Sequence, residues 1–330
     1  MSFFTYFSRE EIRQNFIQKP DFNTQVSATI GKNGDLMEKT NLVINLPPIP
    51  SFEDGITKVA WVRFPGYSLI ETISIEINGR QICKHYGEWM MLWNEMFNVN
   101  ANLPSFKKMI GDIPELTDFT DGKPAYKIYI PLQFWFCRSS ANALPLINLQ
   151  YSDIKINASL KPWNECLIVS PTHYIICSDN ITGFVENEFI QQNVNGDIIY
   201  GVFRYFDCYS KKLYYTLLSP SNFKTVPQNA IVTSKYKIIG MTTQFEVLPA
   251  VQNSNSITIN PASYKYNKLK TLILGDTYLL VNYIFIDQDE RLQIAQTRQD
   301  YIIEQLYFTQ YNNIIGPSET VKINIDNPCK

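Results

Sequence analysis

The sequence has little charge, no basic excess and almost no histidine. Charged residues make up 18% of its 330 residues, and 29 basic against 31 acidic side chains leave a formal net charge of -2. Because binding to nucleic-acid phosphates needs a basic surface, the composition argues against direct contact with nucleic acid. The two histidines are His85 and His173, and a Ser-His-Asp or Cys-His site would have to use one of them.

Long apolar runs are also missing. The longest, such as residues 278–286, span about nine residues, roughly half of what crosses a bilayer. Arg9, Glu10 and Glu11 interrupt the N-terminal region, so no apolar signal-peptide core can form there. The sequence therefore predicts a soluble protein that does not follow the conventional secretory route.

Paired cysteines are absent as well. Six cysteines are scattered along the chain without a CxxC spacing, which argues against a zinc site and against a disulfide scaffold. We therefore expect free, reduced thiols at all six positions, which are Cys83, Cys137, Cys166, Cys177, Cys208 and Cys329.

Apolar and aromatic residues are plentiful. Hydrophobic residues make up 45% of the chain, and 20 Tyr, 20 Phe and 5 Trp bring the aromatics to 14%. A chain this apolar with so little net charge is not disordered. Aromatic and β-branched side chains fit pleated, half-buried surfaces, so the composition predicts a mostly β protein.

Turn signals divide the chain into many short predicted strands. Asn33-Gly34 and Asn78-Gly79 each stand between strand-like runs, and Asn-Gly is the strongest short signal for a hairpin. Helical spacing is confined to residues 9–16, 88–97 and 287–307. In the second of these, Trp89, Leu92, Trp93 and Met96 form one apolar stripe, as in an amphipathic helix. Many strands with few helices predict a sandwich or jelly roll.

Two stretches of the chain have a distinct character. Residues 133–137 contain three consecutive aromatics, and we predict a strand that sends alternate rings between two sheets. Residues 162–270 mix polar loops with strands and are too long for an ordinary loop, so they are predicted to form an inserted β-rich subdomain that projects from one end of the roll.

The sequence contains no motif that identifies a catalytic, cofactor-binding or metal-binding residue. No GxSxG, Walker A, GxGxxG, HExxH or complete EF-hand pattern occurs. His85 and His173 are interpreted as structural residues, and the acidic run 287–290 as charges at a helix N-terminus. Two sequons make Asn157 and Asn180 candidate N-glycosylation sites. The sequence predicts no enzyme and no cofactor.

Four segments resemble the major capsid proteins of the nucleocytoplasmic large DNA viruses, in the order in which that family carries them. They are SATIGKNGDL at residues 27–36, ISIEINGRQICKHYGEWMMLWNE at 73–95, YIPLQFWFCRSSANALPLINLQYSDIKI at 129–156 and NYIFIDQDERLQIAQTRQDYIIEQL at 282–306. Arg138 and Arg291, which lie within these segments, are expected to close loops by binding carboxylates or carbonyls.

The resemblance implies a double jelly-roll protein with a structural role. It implies a homotrimer that forms pseudo-hexagonal capsomers of an icosahedral shell, in contact with neighbouring capsomers and minor capsid proteins and near an internal membrane. It implies a location in the virion capsid after assembly in the host cytoplasm, with no cofactor.

The chain differs from the family pattern in how much of the two jelly rolls it contains. We expect an N-terminal arm at residues 1–22, an eight-stranded antiparallel first roll at 23–161 and 271–287, and the insertion at 162–270. A linker helix and loop follow at 288–315, and 316–330 begin a second roll. Most of that roll is missing, so residues 321–325 would form an unpaired apolar strand, and the isolated chain is expected to be poorly soluble or mixed in oligomeric state.

Two other functions remain open from the sequence. One is an internal membrane scaffold related to the capsid proteins, similar to the poxvirus relative, that forms a temporary lattice. The other is a glycan-binding jelly roll whose insertion carries an aromatic platform of Tyr205, Tyr209, Tyr214 and Tyr215.

Overall fold

A computed structural model describes residues 6–52, 57–98, 102–181, 183–230, 233–251, 257–258, 269, 271–297 and 303–308. The strands are β1 Phe7–Asn15, β2 Gln25–Thr29, β3 Leu36–Leu46, β4 Lys58–Trp61, β5 Ile70–Ile77, β6 Arg80–Tyr86, β7 Tyr126–Pro131, β8 Leu144–Pro145, β9 Ile154–Leu160, β10 Leu167–Ser170, β11 His173–Ile176, β12 Phe189–Val194, β13 Asp197–Asp207, β14 Lys212–Leu217, β15 Ile238–Gly240, β16 Glu246–Val247, β17 Ile257–Thr258 and β18 Thr277–Ile286. The helices are α1 Pro65–Ser68, α2 Gly87–Phe97, α3 Pro104–Ile110, α4 Pro114–Thr117, α5 Trp163–Cys166 and α6 Gln288–Gln296.

Two antiparallel sheets pack face to face and form the jelly roll. The first sheet has the order β1-β18-β3-β7, with β8 beside β3, and the second has the order β2-β9-β5-β6. Alternate residues of each strand point between the sheets, as Ile73 and Ile75 do from β5 and Leu42 and Ile44 do from β3. The expected all-β antiparallel jelly roll is confirmed: four longer strands in each sheet make eight, and the two-residue strand β8 is added beside β3. The predicted first strand of a second roll lies outside the described residues.

The strand registers put three of the four long connections at the same end of the roll. Leu46 at the end of β3 lies opposite Tyr126 at the start of β7, and Leu160 at the end of β9 lies opposite Ile70 at the start of β5. The links from β3 to β5, from β6 to β7 and from β9 to β18 therefore all leave from this end, which we call the insertion end. The opposite end carries the β5–β6 hairpin and the fourth long connection, residues 132–153 between β7 and β9.

The link from β9 to β18 contains a second body of β structure with a core of its own. Its sheet, the insertion sheet, has seven strands in the order β16-β15-β12-β13-β14-β11-β17. Ile190, Ile199, Phe203, Leu213 and Tyr215 are among the side chains that form its separate hydrophobic core. The insertion is β-rich, as the sequence predicted. Its strand β10 pairs with β4 and joins it to the link between β3 and β5.

One of the two predicted Asn-Gly hairpins is wrong. Asn78 and Gly79 both adopt positive φ angles, 51° and 77°, and connect the paired strands β5 and β6 as predicted. The strands on either side of Asn33-Gly34 belong to different sheets, so no hairpin forms there. Gly34 is instead required by a close approach, because an added Cβ would lie 2.8 Å from the Cβ of Tyr283.

The helix predicted at residues 9–16 is also wrong. These residues form most of β1, which pairs along its whole length with β18, from Phe7 opposite Ile286 to Asn15 opposite Tyr278. Without β1, the backbone donors and acceptors along that edge of β18 would have no partner, and this pairing outweighs a weak local helical pattern. The segment predicted as an N-terminal arm, residues 1–22, thus supplies an edge strand of the first sheet.

The predicted strand at residues 133–137 is a 3-10 turn over Trp135–Cys137. Phe134, Trp135 and Phe136 are all buried. A strand would point Trp135 away from its two neighbours, whereas the turn buries all three rings. The third helical prediction, residues 287–307, is too long: α6 ends at Gln296, and the described residues 303–308 are not helical.

Candidate assembly surface

His85 is packed into the roll. Its ring centroid lies 4.2 Å from that of Trp89 and 5.1 Å from that of Phe134, and Nε2 is 3.1 Å from Sγ of Cys83. Burial and the charge of Arg138 lower the pKa of His85 to about 4, and burial raises the pKa of the Cys83 thiol. The pair is therefore a neutral imidazole beside a neutral thiol, without the thiolate that a nucleophilic site needs.

His173 is likewise a structural residue. It lies on β11 with its ring 5.7 Å from the ring of Tyr215, and Nδ1 is 2.9 Å from the Thr172 hydroxyl. Burial lowers its pKa. Cys83, Cys137, Cys166, Cys177 and Cys208 are free thiols, and Cys329 lies outside the described residues.

The two arginines singled out in the sequence close loops, as predicted. Arg291 donates from Nη2 to Oδ2 of Asp35 at 2.9 Å, and the same oxygen accepts the Ile286 amide at 3.0 Å. Arg138 forms an ion pair with Glu304 and lies over the Trp93 ring. These contacts fasten the chain after β18 to the roll.

The acidic run 287–290 also has the predicted role at a helix N-terminus. Asp287 caps α6 by accepting the Gln288 amide at 2.7 Å. Within the described ranges, no cluster of three or more His, Cys, Asp or Glu side chains has a metal-binding arrangement. In the same ranges, no helix is both long enough and apolar enough to span a bilayer.

The long connections pack together at the insertion end. Between β4 and β10, Trp61 lies opposite Leu167, and Val59 forms a bridge with Thr120 from the link between β6 and β7. The guanidinium of Arg204, on β13, lies 4.1 Å from the ring centroid of Phe119. Three connections thus contact one another at this end. Two of them carry an exposed apolar surface.

The first surface lies on α2, the helix predicted from the spacing of Trp89, Leu92, Trp93 and Met96. The residues that α2 buries are Gly87, Met90 and Asn94. On the other side, Leu92, Met96 and Phe97 are each more than half exposed. The Trp93 and Phe97 rings are in contact, with centroids 5.7 Å apart. We call the four outward residues Leu92, Trp93, Met96 and Phe97 the helix patch.

The apolar stripe of this helix was predicted from the sequence, without the direction in which it faces. The overlooked signal was the polar Asn94 on the opposite side of the helix. Asn94 is the residue that forms hydrogen bonds inside the protein, to Tyr67 and Met90. The structure shows the predicted helix at the predicted place, turned so that its apolar side faces outward.

The second surface lies on the outer face of the insertion sheet. Phe189 on β12 lies opposite Val202 on β13, so Phe189, Tyr200 and Ile198 share one face. Leu218 joins them, because its amide donates to the Tyr200 carbonyl oxygen at 3.0 Å. We call Phe189, Ile198, Tyr200 and Leu218 the sheet patch, and each member is 38% to 55% exposed.

The sheet patch was not predicted from the sequence, although a signal was present. Ile198, Ile199 and Tyr200 are consecutive and apolar, so both faces of β13 are apolar here. A strand with one wet face would alternate with polar residues. The missing alternation indicates a strand that is covered on both faces.

The proposed aromatic platform of the insertion does not form as one surface. Tyr215 is fully buried in the insertion core, whereas Tyr209 is fully exposed at the turn between β13 and β14. Tyr205 and Tyr214 remain neighbours, with ring centroids 6.2 Å apart. The four predicted residues therefore fall into three different environments because β-strand side chains alternate between faces.

The two sequons differ in accessibility. Asn157 lies within β9, between β2 and β5, and its Nδ2 donates to Oε2 of Glu76 at 3.2 Å. Asn180 is exposed in the loop after β11. Glycosylation at either asparagine stays a prediction.

Comparison with known proteins defines the class. Residues 2–200 match a family model described as the N-terminus of major capsid proteins. The chain belongs to the major capsid protein family, as the four resembling segments indicated.

Relatives of this chain occur in several large DNA viruses. Over 99% of its length the chain is 36% identical to a probable capsid protein 4 of Acanthamoeba polyphaga mimivirus and 29% identical to the major capsid protein of Phaeocystis pouchetii virus. It spans 65% and 51% of those two proteins, respectively. The relatives are capsid proteins by name, and the chain corresponds to about half to two thirds of their length.

Solved structures show the same fold. The PBCV-1 capsid model matches with a TM-score of 0.53 at 19% identity, over 92% of this chain and 48% of that one. The Faustovirus major capsid protein matches with a TM-score of 0.51 at 11% identity, over 89% of this chain and 57% of that one. At these identities the likeness establishes the jelly-roll fold.

Proposed function

We propose that this protein is a structural subunit of an icosahedral virus shell and that its roll contributes to homotrimeric, pseudo-hexagonal capsomers. The observation that supports this most directly is the roll of two antiparallel sheets, with three of its four long connections at one end, in a chain of the major capsid protein family. Such a roll offers sheet walls to its neighbours, while the connections are free to vary at one end.

We also propose where the subunit is assembled and what it contacts. The protein would be assembled in the host cytoplasm, contact neighbouring capsomers and minor capsid proteins, and lie near an internal membrane. Both histidines and the thiols of Cys83, Cys166 and Cys177 are buried as structural residues, which suits a non-enzymatic protein.

The proposal also includes the division of the chain. Residues 23–161 and 271–287, with β1 added from the segment 1–22, form the first roll, and residues 162–270 form an insertion on the particle exterior. Residues 288–315 form the linker, and 316–330 begin a second roll.

Quantitative proteomics of purified particles tests the function. We expect peptides from this chain among the abundant proteins of mature virions, at a ratio typical of a shell subunit. A protein that is abundant in immature membrane-bound lattices but absent from mature particles would overturn the proposal and favour the internal scaffold.

A further inference from the structure

Residues 303–308 lie along β6, at the edge of the second sheet. Nε2 of Gln305 donates a hydrogen bond to the Ile82 carbonyl oxygen at 2.7 Å, and the ring centroid of Phe308 lies 4.9 Å from that of Tyr86. β6 is the last strand in the order β2-β9-β5-β6, so this segment covers part of that edge. We call residues 303–308 the strap.

The strap also reaches a connection of the first sheet. Glu304 forms an ion pair with Arg138, which lies between β7 and β8 in the chain, and the Glu304 carbonyl oxygen lies 3.9 Å from Sγ of Cys83. Five of the six strap residues are exposed, and Leu306 is partly buried. Side-chain contacts hold the strap, whereas backbone ladders hold the strands, so the strap is the most weakly attached element around Cys83.

A buried titratable residue lies one side chain below the strap. His85 is 2% exposed, its ring contacts Trp89 and Phe134, and its Nε2 lies at Sγ of Cys83. The other ring nitrogen, Nδ1, is buried and has no hydrogen-bond partner among the described residues. Both nitrogens of an imidazolium carry protons, so protonation would leave a buried N–H without an acceptor.

The charges around His85 do not favour its protonation. The charged group on the connection after β7 is Arg138, and its carboxylate partner is Glu304 on the strap. Glu88 of α2 is held in another ion pair, and Lys84 of β6 points to the opposite face of the sheet, because strand side chains alternate. A proton on His85 would therefore be buried beside a positive charge.

We propose that acid releases the strap from β6 and that protonation of His85 is the trigger. A buried imidazolium costs free energy unless water can reach it. The sheets resist opening because their backbone hydrogen bonds would be lost, while the strap can leave by giving up a few side-chain contacts. The strap is thus a pH-sensitive cover over one edge of the roll.

Proton linkage gives the direction and the size of the effect. The pKa of His85 is about 4 with the strap in place and 6.5 ordinarily, so the released form takes up a proton first as the pH falls below 6.5. Full exposure of the ring on release weakens strap binding by about 30-fold at pH 5 and leaves it nearly unchanged at pH 7.5.

Release would be confined to the strap, because the chain before it has its own attachments. Arg291 binds Asp35, and Nδ2 of Asn148 donates to the Ile294 carbonyl oxygen at 3.1 Å. α6 would therefore remain on the roll. This inference goes beyond the shell role and does not depend on it, because it concerns how one segment is attached to the roll.

Thiol labelling tests the release. Cys83 lies under the strap, Cys208 is exposed, and Cys166 is buried with its Sγ 3.7 Å from the Ser68 carbonyl oxygen. Dithiodipyridine reacts with thiols in acid, and peptide mass spectrometry follows each cysteine of the 330-residue chain. We expect labelling of Cys83 relative to Cys208 to rise by about tenfold or more between pH 7.5 and pH 5, with Cys166 unchanged.

Three variants identify the trigger. His85→Phe keeps an aromatic ring that cannot titrate, so Cys83 should stay protected at pH 5. His173→Phe removes the other histidine of the chain and should respond as the wild type does. Glu304→Gln breaks the ion pair, so it should raise the labelling of Cys83 already at pH 7.5 and leave a further rise in acid. Circular dichroism establishes that each variant is folded.

Four results would overturn the inference. Cys83 that stays protected in the wild type at pH 5 while Cys208 reacts would exclude release. An equal rise in His85→Phe and the wild type would assign the trigger to another group. A joint rise of Cys83 and Cys166 would show unfolding of the roll. Unchanged labelling of Cys83 in Glu304→Gln at pH 7.5 would show that the strap does not shield this thiol.

Discussion

Asn94 on α2 donates a hydrogen bond from Nδ2 to the hydroxyl of Tyr67 on α1, with 2.6 Å between the two atoms. Both residues are buried. This polar contact fixes the rotation of α2, so the helix presents Met90 to the core and Met96 to the outside. One buried hydrogen bond therefore decides which side of an amphipathic helix is available to another molecule.

Removing the acceptor of this hydrogen bond should destabilise the protein. Tyr67→Phe leaves one amide proton of Asn94 without a partner, and we expect the free energy of unfolding to fall by about 1–3 kcal/mol. Urea denaturation measures the change. Tyr151→Phe is the matched control: Tyr151 is fully exposed, and its change should stay within about 0.5 kcal/mol. Equal effects of the two substitutions would contradict the importance of this contact.

His85 should make the protein less stable in acid. Its pKa is about 4 in the folded chain against 6.5 ordinarily, so the unfolded chain takes up a proton first as the pH falls. The contribution of neutral His85 to the free energy of unfolding is fully present above pH 6.5. It is lost towards pH 4, by about 3 kcal/mol in total. His85→Phe keeps an aromatic ring in place but cannot titrate. The free energy of unfolding, measured by urea denaturation across this pH range, should fall less steeply with decreasing pH in the variant. An identical pH dependence in the two proteins would refute the prediction.

Glu188 should hold a loop of the insertion in place. Its carboxylate accepts hydrogen bonds from the amides of Val185, Thr242 and Thr243 and from the Thr243 hydroxyl. Burial raises its pKa, but these hydrogen bonds lower it more, so the pKa lies below its ordinary value of 4.5. The stability it contributes is present above that value and is lost as the pH falls further.

Substitution of Glu188 tests that role at neutral pH. Glu188→Gln should destabilise the insertion by about 1–3 kcal/mol, because a neutral amide cannot accept all four bonds. Hydrogen exchange at the amides of residues 238–247 measures the local change. Glu246→Gln, at a solvent-exposed ion pair with Lys237, should change stability by at most about 1 kcal/mol. Unchanged exchange in Glu188→Gln would show that the carboxylate is dispensable.

The two sequons should differ if the protein meets a glycosylating machinery. Asn180 lies in an exposed loop, whereas Asn157 is held between two strands, so we expect glycan at Asn180 and none at Asn157. Mass spectrometry after enzymatic removal of N-glycans in heavy-oxygen water detects the former glycan site. Thr182→Ala should abolish the signal, and a signal at Asn157 would contradict the assignment.

The sequence predicted the fold where local and tertiary signals agree. The Asn78-Gly79 turn, the strand β18 and the helix α2 follow from turn chemistry and periodicity alone. β1 was mistaken for a helix because its strand character comes from pairing with a partner near the other end of the chain. The Asn33-Gly34 hairpin failed for a related reason: the dipeptide is a turn signal, but the chain there crosses from one sheet to the other.

The candidate surface was harder to predict than the fold. Periodicity shows that α2 has an apolar side, but it does not show which way that side faces. That choice depends on the contact between Asn94 and Tyr67, two residues that are distant in sequence. The sheet patch depends on strand registers, which place Phe189, Tyr200 and Leu218 side by side.

The pairing of β1 with β18 has a consequence for synthesis on the ribosome. β1 pairs with β18, the last strand of the roll. The first sheet therefore cannot close until nearly all of the described chain has been translated. The insertion, in which β12, β13 and β14 pair in chain order, is complete earlier. Once folded, it brings β9 and β18 together and shortens the loop that must close. We expect nascent chains to protect the amides of β12 to β14 before those of β1, an order that pulse-labelled hydrogen exchange on stalled ribosomes would reveal or refute.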